Sequence, residues 1–360
     1  MEPKPPYAVW AVTGNGAALG RKIQNQLPGT DLYLCGSLWA VEKQKAGEGT
    51  HGFTRLSEGL SVLFQHYRSH VFIMSAGIAV RTIAPLIRHK AVDPAVVVVD
   101  DNGRHAVSLL SGHIGGANAL ATTVAKIIGA TAVVTTATDV NQLPAIDVIA
   151  GELGLAIENF DAVKSVHMAL LQKRGLLLHD PYDIIGEQLP RRFIATKIDL
   201  AETKPDGSMA QQPGVFVDDR LVDLPADILV LRPATLAAGI GCNRNTPGRE
   251  IRDHLLQVMD THRLALGSLT GLASIQIKQD EPGLLETAAA LGVPIRFYQP
   301  NQLEGVEGVR NPSAVVAKHT GVSSVCEAAA LLAAGRGNLV VPKQATPNVT
   351  VAIARIAFTS

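Results

Sequence analysis

Residues 95–134 read AVVVVDDNGRHAVSLLSGHIGGANALATTVAKIIGATAVV. The opening run, Ala95 to Val99, is too short for a helix and rich in β-branched residues, the pattern of a strand covered on both faces. Asn102-Gly103 separates it from a second apolar run, and an Asn-Gly pair in that position predicts a hairpin. Glycines 112, 115 and 116 then surround His113, a helical pattern follows from Asn118, and TAVVTT (131–136) reads as another strand. Outward from this block, YAVWAVT (7–13), DLYLC (31–35) and VFIMS (71–75) are strand-like, and RLSEGLSVLFQHYRS (55–69) has the period of a helix. Such alternation predicts an α/β protein with mostly parallel sheets flanked by helices. At 360 residues more than one domain is expected. The pattern changes twice, which predicts an N-terminal α/β domain at 1–137, a middle domain at 138–233 and a C-terminal α/β domain at 234–360. In the middle domain, a helix at 161–173, the strand-like RGLLLHD and the turn-rich ETKPDGSMAQQPGV (202–215) can be read.

Composition narrows the function. Lys+Arg and Asp+Glu are equal at 32 each, so the chain lacks the basic field that nucleic-acid binding needs, and aromatics at 4% offer few stacking platforms. The three cysteines, Cys35, Cys242 and Cys326, are scattered and odd in number, which fits a reducing compartment rather than a disulfide framework. MEPKPPYAVWAV lacks the pattern of a signal peptide, and no run approaches the roughly 18 apolar residues of a membrane span. A cytoplasmic protein with no membrane or nucleic-acid partner is expected.

Four glycine-rich turns follow apolar runs and precede helical ones: TGNGAALG (13–20), SAGIAVR (75–81), SGHIGGAN (111–118) and GIGCNRNTPG (239–248). Turns of this kind offer backbone N–H groups and a helix N-terminus to anions. They also simply allow tight packing, and both readings stand for each loop. Gly14, Gly16 and Gly20 miss the dinucleotide fingerprint by one residue, and Asp31 sits at the start of the second strand rather than its end. His66 and His70 have the i, i+4 spacing of a zinc half-site on one helix face, but no third ligand is in view, and a solvated helix end is the simpler reading. Asp280 and Glu281, beside Lys278, read as helix caps. Glu327 reads as the capping-box partner of Ser324.

VFIMSAGIAVRTIAPLI, the long block from 95 to 139, AAGIGCNRNTPGREI, LASIQIKQDEPGLLETAAALGVPIRFYQ and SSVCEAAALLAAGRGNLVVPKQ together resemble the cobalt-precorrin-5A hydrolase family of anaerobic cobalamin biosynthesis. The resemblance implies a corrinoid substrate that brings its own cobalt, no further cofactor and no protein metal site. It implies a reaction in which water opens a lactone on the contracted ring and the meso carbon leaves as acetaldehyde, giving cobalt-precorrin-5B. Transient contacts with other enzymes of the pathway are implied as well.

Such chemistry needs a base, oxyanion donors and a proton relay. His113 is the expected proton-transfer group, kept neutral by the dipole of the helix that follows it. Gly115 and Gly116 would supply oxyanion amides, and Asp139 and Asp101 would orient the imidazole, although both read equally well as caps or turn residues. Arg81 is the expected carboxylate clamp. Gly77, Ser111, Gly112, Asn118, Gly241, Asn243, Lys278 and Glu327 complete the expected substrate contacts. Two other readings stay open: a corrinoid carrier without activity, and a nucleotide-dependent enzyme built on TGNGAALG.

Overall fold

The alternation of apolar runs and amphipathic segments resolves into three sheets with helices packed on them. The computed structural model describes residues 6–43, 47–89, 92–113, 115–197, 212–312, 324–335 and 337–357. Of the turn-rich stretch at 202–215, residues 202–211 lie outside the described residues. The chain divides into two compact units, 1–148 and 149–360. Among the described residues no helix is long and apolar enough to cross a membrane.

The first unit runs β1 (Tyr7–Ala11), α1 (Gly14–Gln26), β2 (Thr30–Cys35), α2 (Gly36–Glu42), β3 (Thr50–Phe53), α3 (Leu56–Leu63), β4 (Ser69–Ile73), α4 (Ala76–Ile83), β5 (Ala95–Val99), β6 (His105–Leu110), α5 (Ala117–Ile128), β7 (Thr131–Val133) and α6 (Ala137–Val140), and ends within α7 (Ile146–Glu152). Its sheet has the order β3-β2-β1-β4-β5-β6-β7. Every neighbouring pair is parallel except β5 with β6. Side chains alternate across the strands as period-2 geometry requires. Val9, Ala11, Val71, Ile73, Val97 and Val99 pack with residues of α1 and α5 on one face. Ala8, Trp10, Phe72, Val96 and Val98 pack with Leu60 and Ala79 on the other. The turn between β5 and β6 is the expected hairpin. Gly103 has φ +65°, which glycine adopts without strain, and the Asp100 carboxylate accepts the N–H groups of Asn102, Arg104 and His105.

The helix expected over 55–69 stops at Leu63, because His70 belongs to β4 at the centre of the sheet. His66 and His70 therefore share no helix face, and His70 is neither a zinc ligand nor a solvated helix end. It is fully buried, accepts the Trp10 indole N–H at 3.0 Å on Nδ1 and places Nε2 3.0 Å from the Phe64 carbonyl oxygen. Burial pushes its pKa down to about 4, so it is a neutral core residue.

The second unit holds two sheets. The first is built from β8 (Ala156–Ile157), α8 (Asp161–Leu171), β9 (Leu176–His179), β10 (Ile194–Lys197), β11 (Gly214–Val217) and β12 (Ile228–Arg232), in the order β10-β9-β11-β12-β8. The other comprises β13 (Leu236–Cys242), α9 (Gly248–Thr261), β14 (Leu269–Ile275), α10 (Pro282–Leu291), β15 (Ile295–Tyr298), α11 (Pro300–Leu303), α12 (Cys326–Ala333), β16 (Asn338–Ala345) and β17 (Val349–Arg355), ordered β15-β14-β13-β17-β16. Gly239 is required where α12 lies on β13, since a Cβ there would stand 1.9 Å from the Cys326 carbonyl oxygen. The two sheets are tied by Asp219. Fully buried, it accepts a two-pronged bond from Arg355 at 2.6 and 2.7 Å and the Thr235 hydroxyl at 2.7 Å. Breaking one side of such a pair costs about 3–5 kcal/mol, because a charge is left buried and unpaired.

Candidate active site and a second cavity

Because β6 runs against β5, the loop after β6 emerges where β1, β4 and β5 begin. Leu110 lies opposite Val96, and Ala106 opposite Val99. SGHIGGAN and the residues after β7, which runs parallel to β6, thus occupy one edge of the sheet. TGNG after β1, SAGI after β4 and the hairpin turn occupy the other, about 16 Å away for strands of this length.

His113 is held between two carboxylates. Its Nε2 lies 3.0 Å from Asp139 Oδ2 and 2.9 Å from the Thr138 hydroxyl, and its Nδ1 lies 3.6 Å from Asp147 Oδ2. Asn118 fixes the arrangement, donating from Nδ2 to Asp139 at 3.0 Å and to the Thr136 hydroxyl at 2.9 Å, while its Oδ1 accepts the Ser108 hydroxyl at 2.6 Å. A neutral imidazole has one N–H, whereas here both ring nitrogens face an anion, so the imidazolium is the form that satisfies both. Asp147 raises the His113 pKa above its ordinary value; partial burial opposes this, and Asp139 adds to the rise. The direction is opposite to the one expected from the helix dipole alone. The dipole of α5 is outweighed by two nearby carboxylates.

The loop glycines serve packing. A Cβ on Gly112 would meet Asn118 Oδ1 at 2.6 Å, and one on Gly115 would meet Ser111 Cβ at 2.4 Å. Gly116, at φ +84°, caps α5, and its N–H donates to the His113 carbonyl at 2.8 Å, so it is not an oxyanion donor. Ser111 is left-handed at φ 57°, and its buried Oγ has no hydrogen-bond partner among the described residues.

Asp101 does not orient His113. It lies at the opposite edge, accepting hydrogen bonds from the Thr13 hydroxyl and from Asn15. Gly77 and Arg81 also belong to that edge, and the exposed Arg81 guanidinium folds back to the Gly77 carbonyl at 3.4 Å. Asp147 escaped the sequence reading because it resembles a helix-start acid. The signal was available: an aspartate flanked by Ile146 and Ala150 on a buried helix face is a residue type rarely hidden without a partner.

In the second unit, Gly241, Asn243 and Lys278 line a cavity of about 320 Å³ together with Arg244, Lys343 and Ser324. Asn243 ties its rim, donating to Pro347 O and Asn348 Oδ1. Glu281 is a buried N-cap residue whose carboxylate receives the Asn245 N–H and stands 3.5 Å from both Arg244 and Lys278. Glu327 is neither a cap partner of Ser324 nor a cavity residue. Its buried carboxylate accepts the N–H groups of Arg310, Asn311 and Lys343 and the Asn311 amide, and although burial opposes ionisation, these donors hold its pKa below the usual range.

Family models match the chain in succession: "Cobalamin synthesis G N-terminal" over 58–139, "Cobalamin biosynthesis central region" over 144–233 and "Cobalamin synthesis G C-terminus" over 236–354. The chain is 31% identical over 363 residues to the cobalt-precorrin-5A hydrolase of Priestia megaterium, covering 98% of this chain and 95% of that one. To the cobalt-precorrin-5A hydrolase of Salmonella typhimurium it is 34% identical over 333 residues, 90% of this chain and 91% of that one. Protein CobE of a Sinorhizobium species is 36% identical over 123 residues, 34% of this chain and 80% of its own.

Proposed function

The chain belongs to the cobalt-precorrin-5A hydrolase family, and from that premise we propose that it opens the lactone of cobalt-precorrin-5A and releases the meso carbon fragment as acetaldehyde, leaving cobalt-precorrin-5B. The coarser statement, a hydrolase of cobalamin biosynthesis, follows from its curated relatives. One observation carries the finer reading: an imidazole at a sheet edge whose two nitrogens each face a carboxylate.

Lactone opening breaks an acyl carbon–oxygen bond, and the departing alkoxide needs a proton. His113, held as imidazolium, supplies it. Asp139, the more exposed carboxylate with a side chain 42% accessible, takes the proton of the attacking water. The second step needs the reverse transfer. As the carbon–carbon bond breaks, its electron pair stays with the macrocycle, the new hydroxyl becomes the aldehyde carbonyl, and its proton returns to the now neutral His113. Asp147, almost fully buried, positions the ring and keeps its proton affinity high. The Ser111 hydroxyl, without a partner among the described residues, is the donor offered to the transient oxyanion. The corrinoid brings its cobalt with it, and none of these steps calls for a redox cofactor.

The test is to incubate cobalt-precorrin-5A with the full chain and trap acetaldehyde as its dinitrophenylhydrazone. Acetaldehyde equimolar with consumed substrate is expected. Binding of the corrinoid with no product would establish the carrier reading instead.

A further inference from the structure

We propose that the cavity of the second unit binds an aliphatic carboxylate, and that its natural occupant is a carboxylate arm of the macrocycle; the second clause rests on the function proposed above. Among the described residues the cavity is lined by three cations, Arg244, Lys278 and Lys343, and by no carboxylate. Arg244 and Lys278 are answered by Glu281, and Arg244 also by Asp280 at 2.7 Å. Lys343 has no carboxylate partner among the described residues; its backbone N–H is pinned by Glu327 at 2.8 Å. Ser324, 3% exposed, lines the same cavity with a buried Oγ that has no hydrogen-bond partner among the described residues.

A buried hydroxyl left without a partner lowers stability, so a ligand that engages it recovers that loss. Ile275, Val325 and Val349 supply apolar wall, with the thiols of Cys242 and Cys326, which burial keeps protonated; the polar side chains between them, Ser274, Thr346, Asn348 and Thr350, already donate to Ile240 O, Val349 O, Glu250 and Gly241 O. One ammonium without a carboxylate, one free hydroxyl and the apolar side chains of Ile275, Val325 and Val349 match a single carboxylate on a short alkyl chain. A volume of about 320 Å³ stands at the lower end of small-molecule sites, room for an arm rather than a four-ring body.

Pentanoate is the probe, titrated into the full chain by calorimetry or protein-observed NMR. It should bind saturably, and pentanamide about tenfold or more weaker, since the charge-assisted contact is lost. Lys343→Gln should weaken pentanoate by a similar factor. Ser324→Ala should weaken it several-fold while leaving the Tm equal to or above the wild-type value, which separates loss of a ligand contact from loss of fold. Cobyrinic acid, a corrin with free carboxylate arms, should displace pentanoate, and its heptamethyl ester should not. His113→Gln should bind pentanoate like the wild type, so failed turnover and failed binding read out separately. Equal pentanoate affinity in Lys343→Gln and wild type would overturn the site, and saturable pentanoate binding that cobyrinic acid does not compete with would overturn its assignment to a macrocycle arm.

Discussion

The His113 site and the cavity lined by Lys343 are built from opposite materials. At the first, an imidazole stands between two carboxylates, one of them also held by the Asn118 amide. At the second, three cations and a bare hydroxyl line one cavity, and the carboxylates that answer Arg244 and Lys278 are not part of its lining. A network that over-determines one side chain suits proton transfer, where a tuned pKa and a fixed ring matter. A cavity with an unanswered charge suits capture, where the missing partner is the ligand. The difference teaches that chemistry and affinity are separable in this chain, so substitutions should divide into those that lower kcat and those that weaken binding.

The largest effect should come from His113→Gln, which keeps some hydrogen bonding and removes the titratable group. Turnover measured as acetaldehyde release should fall by roughly 100- to 10,000-fold, the range for losing a general acid or base. An equal loss in corrinoid affinity would erase the contrast between the regions, and near-normal turnover would make His113 a structural residue. Next comes Gly115→Ala. Its new Cβ meets Ser111 atoms at 2.4 and 2.7 Å, so the loop must shift. A displacement of about 1 Å at a proton-transfer group can cost on the order of 100-fold. Steady-state kinetics should show this in kcat, with pentanoate affinity unchanged. Arg81→Gln should be the mildest of the three, under about twofold in kcat, because Arg81 lies at the other edge of the sheet from the imidazole, and exposed positions away from such features are usually near neutral.

Much of the first sheet was legible from the 95–134 block because each signal there is local: a β-branched run, an Asn-Gly turn and a glycine at the end of a helical pattern. Gly129, at φ +78°, closes α5 as that pattern required. The hairpin also implied that the loop after β6 leaves from the far edge, which is what separates Asp101 and Arg81 from His113. His70 was misread because i, i+4 spacing carries meaning only on a helix, and strand pairing with β1 and β5 overrode the helical period. Asp147, Ser324 and Lys343 matter through partners distant in sequence or through the lack of one. Neither residue type nor spacing encodes that.

The central claim is that Asp147 holds His113 as the acid, and the pH dependence of kcat reaches it most directly. His113 has a raised pKa in the folded state, so the protonated form is retained at low pH and lost as pH rises through that value. The same sign applies to stability: the contribution of this group is fully present below its unfolded pKa of about 6.5 and disappears above the folded one. Acetaldehyde release should therefore decline on the basic side. In Asp147→Asn, which removes the largest cause of the raised pKa, that decline should begin at lower pH, with Tm showing that the fold persists. A basic limb at the same pH in both proteins would contradict the account.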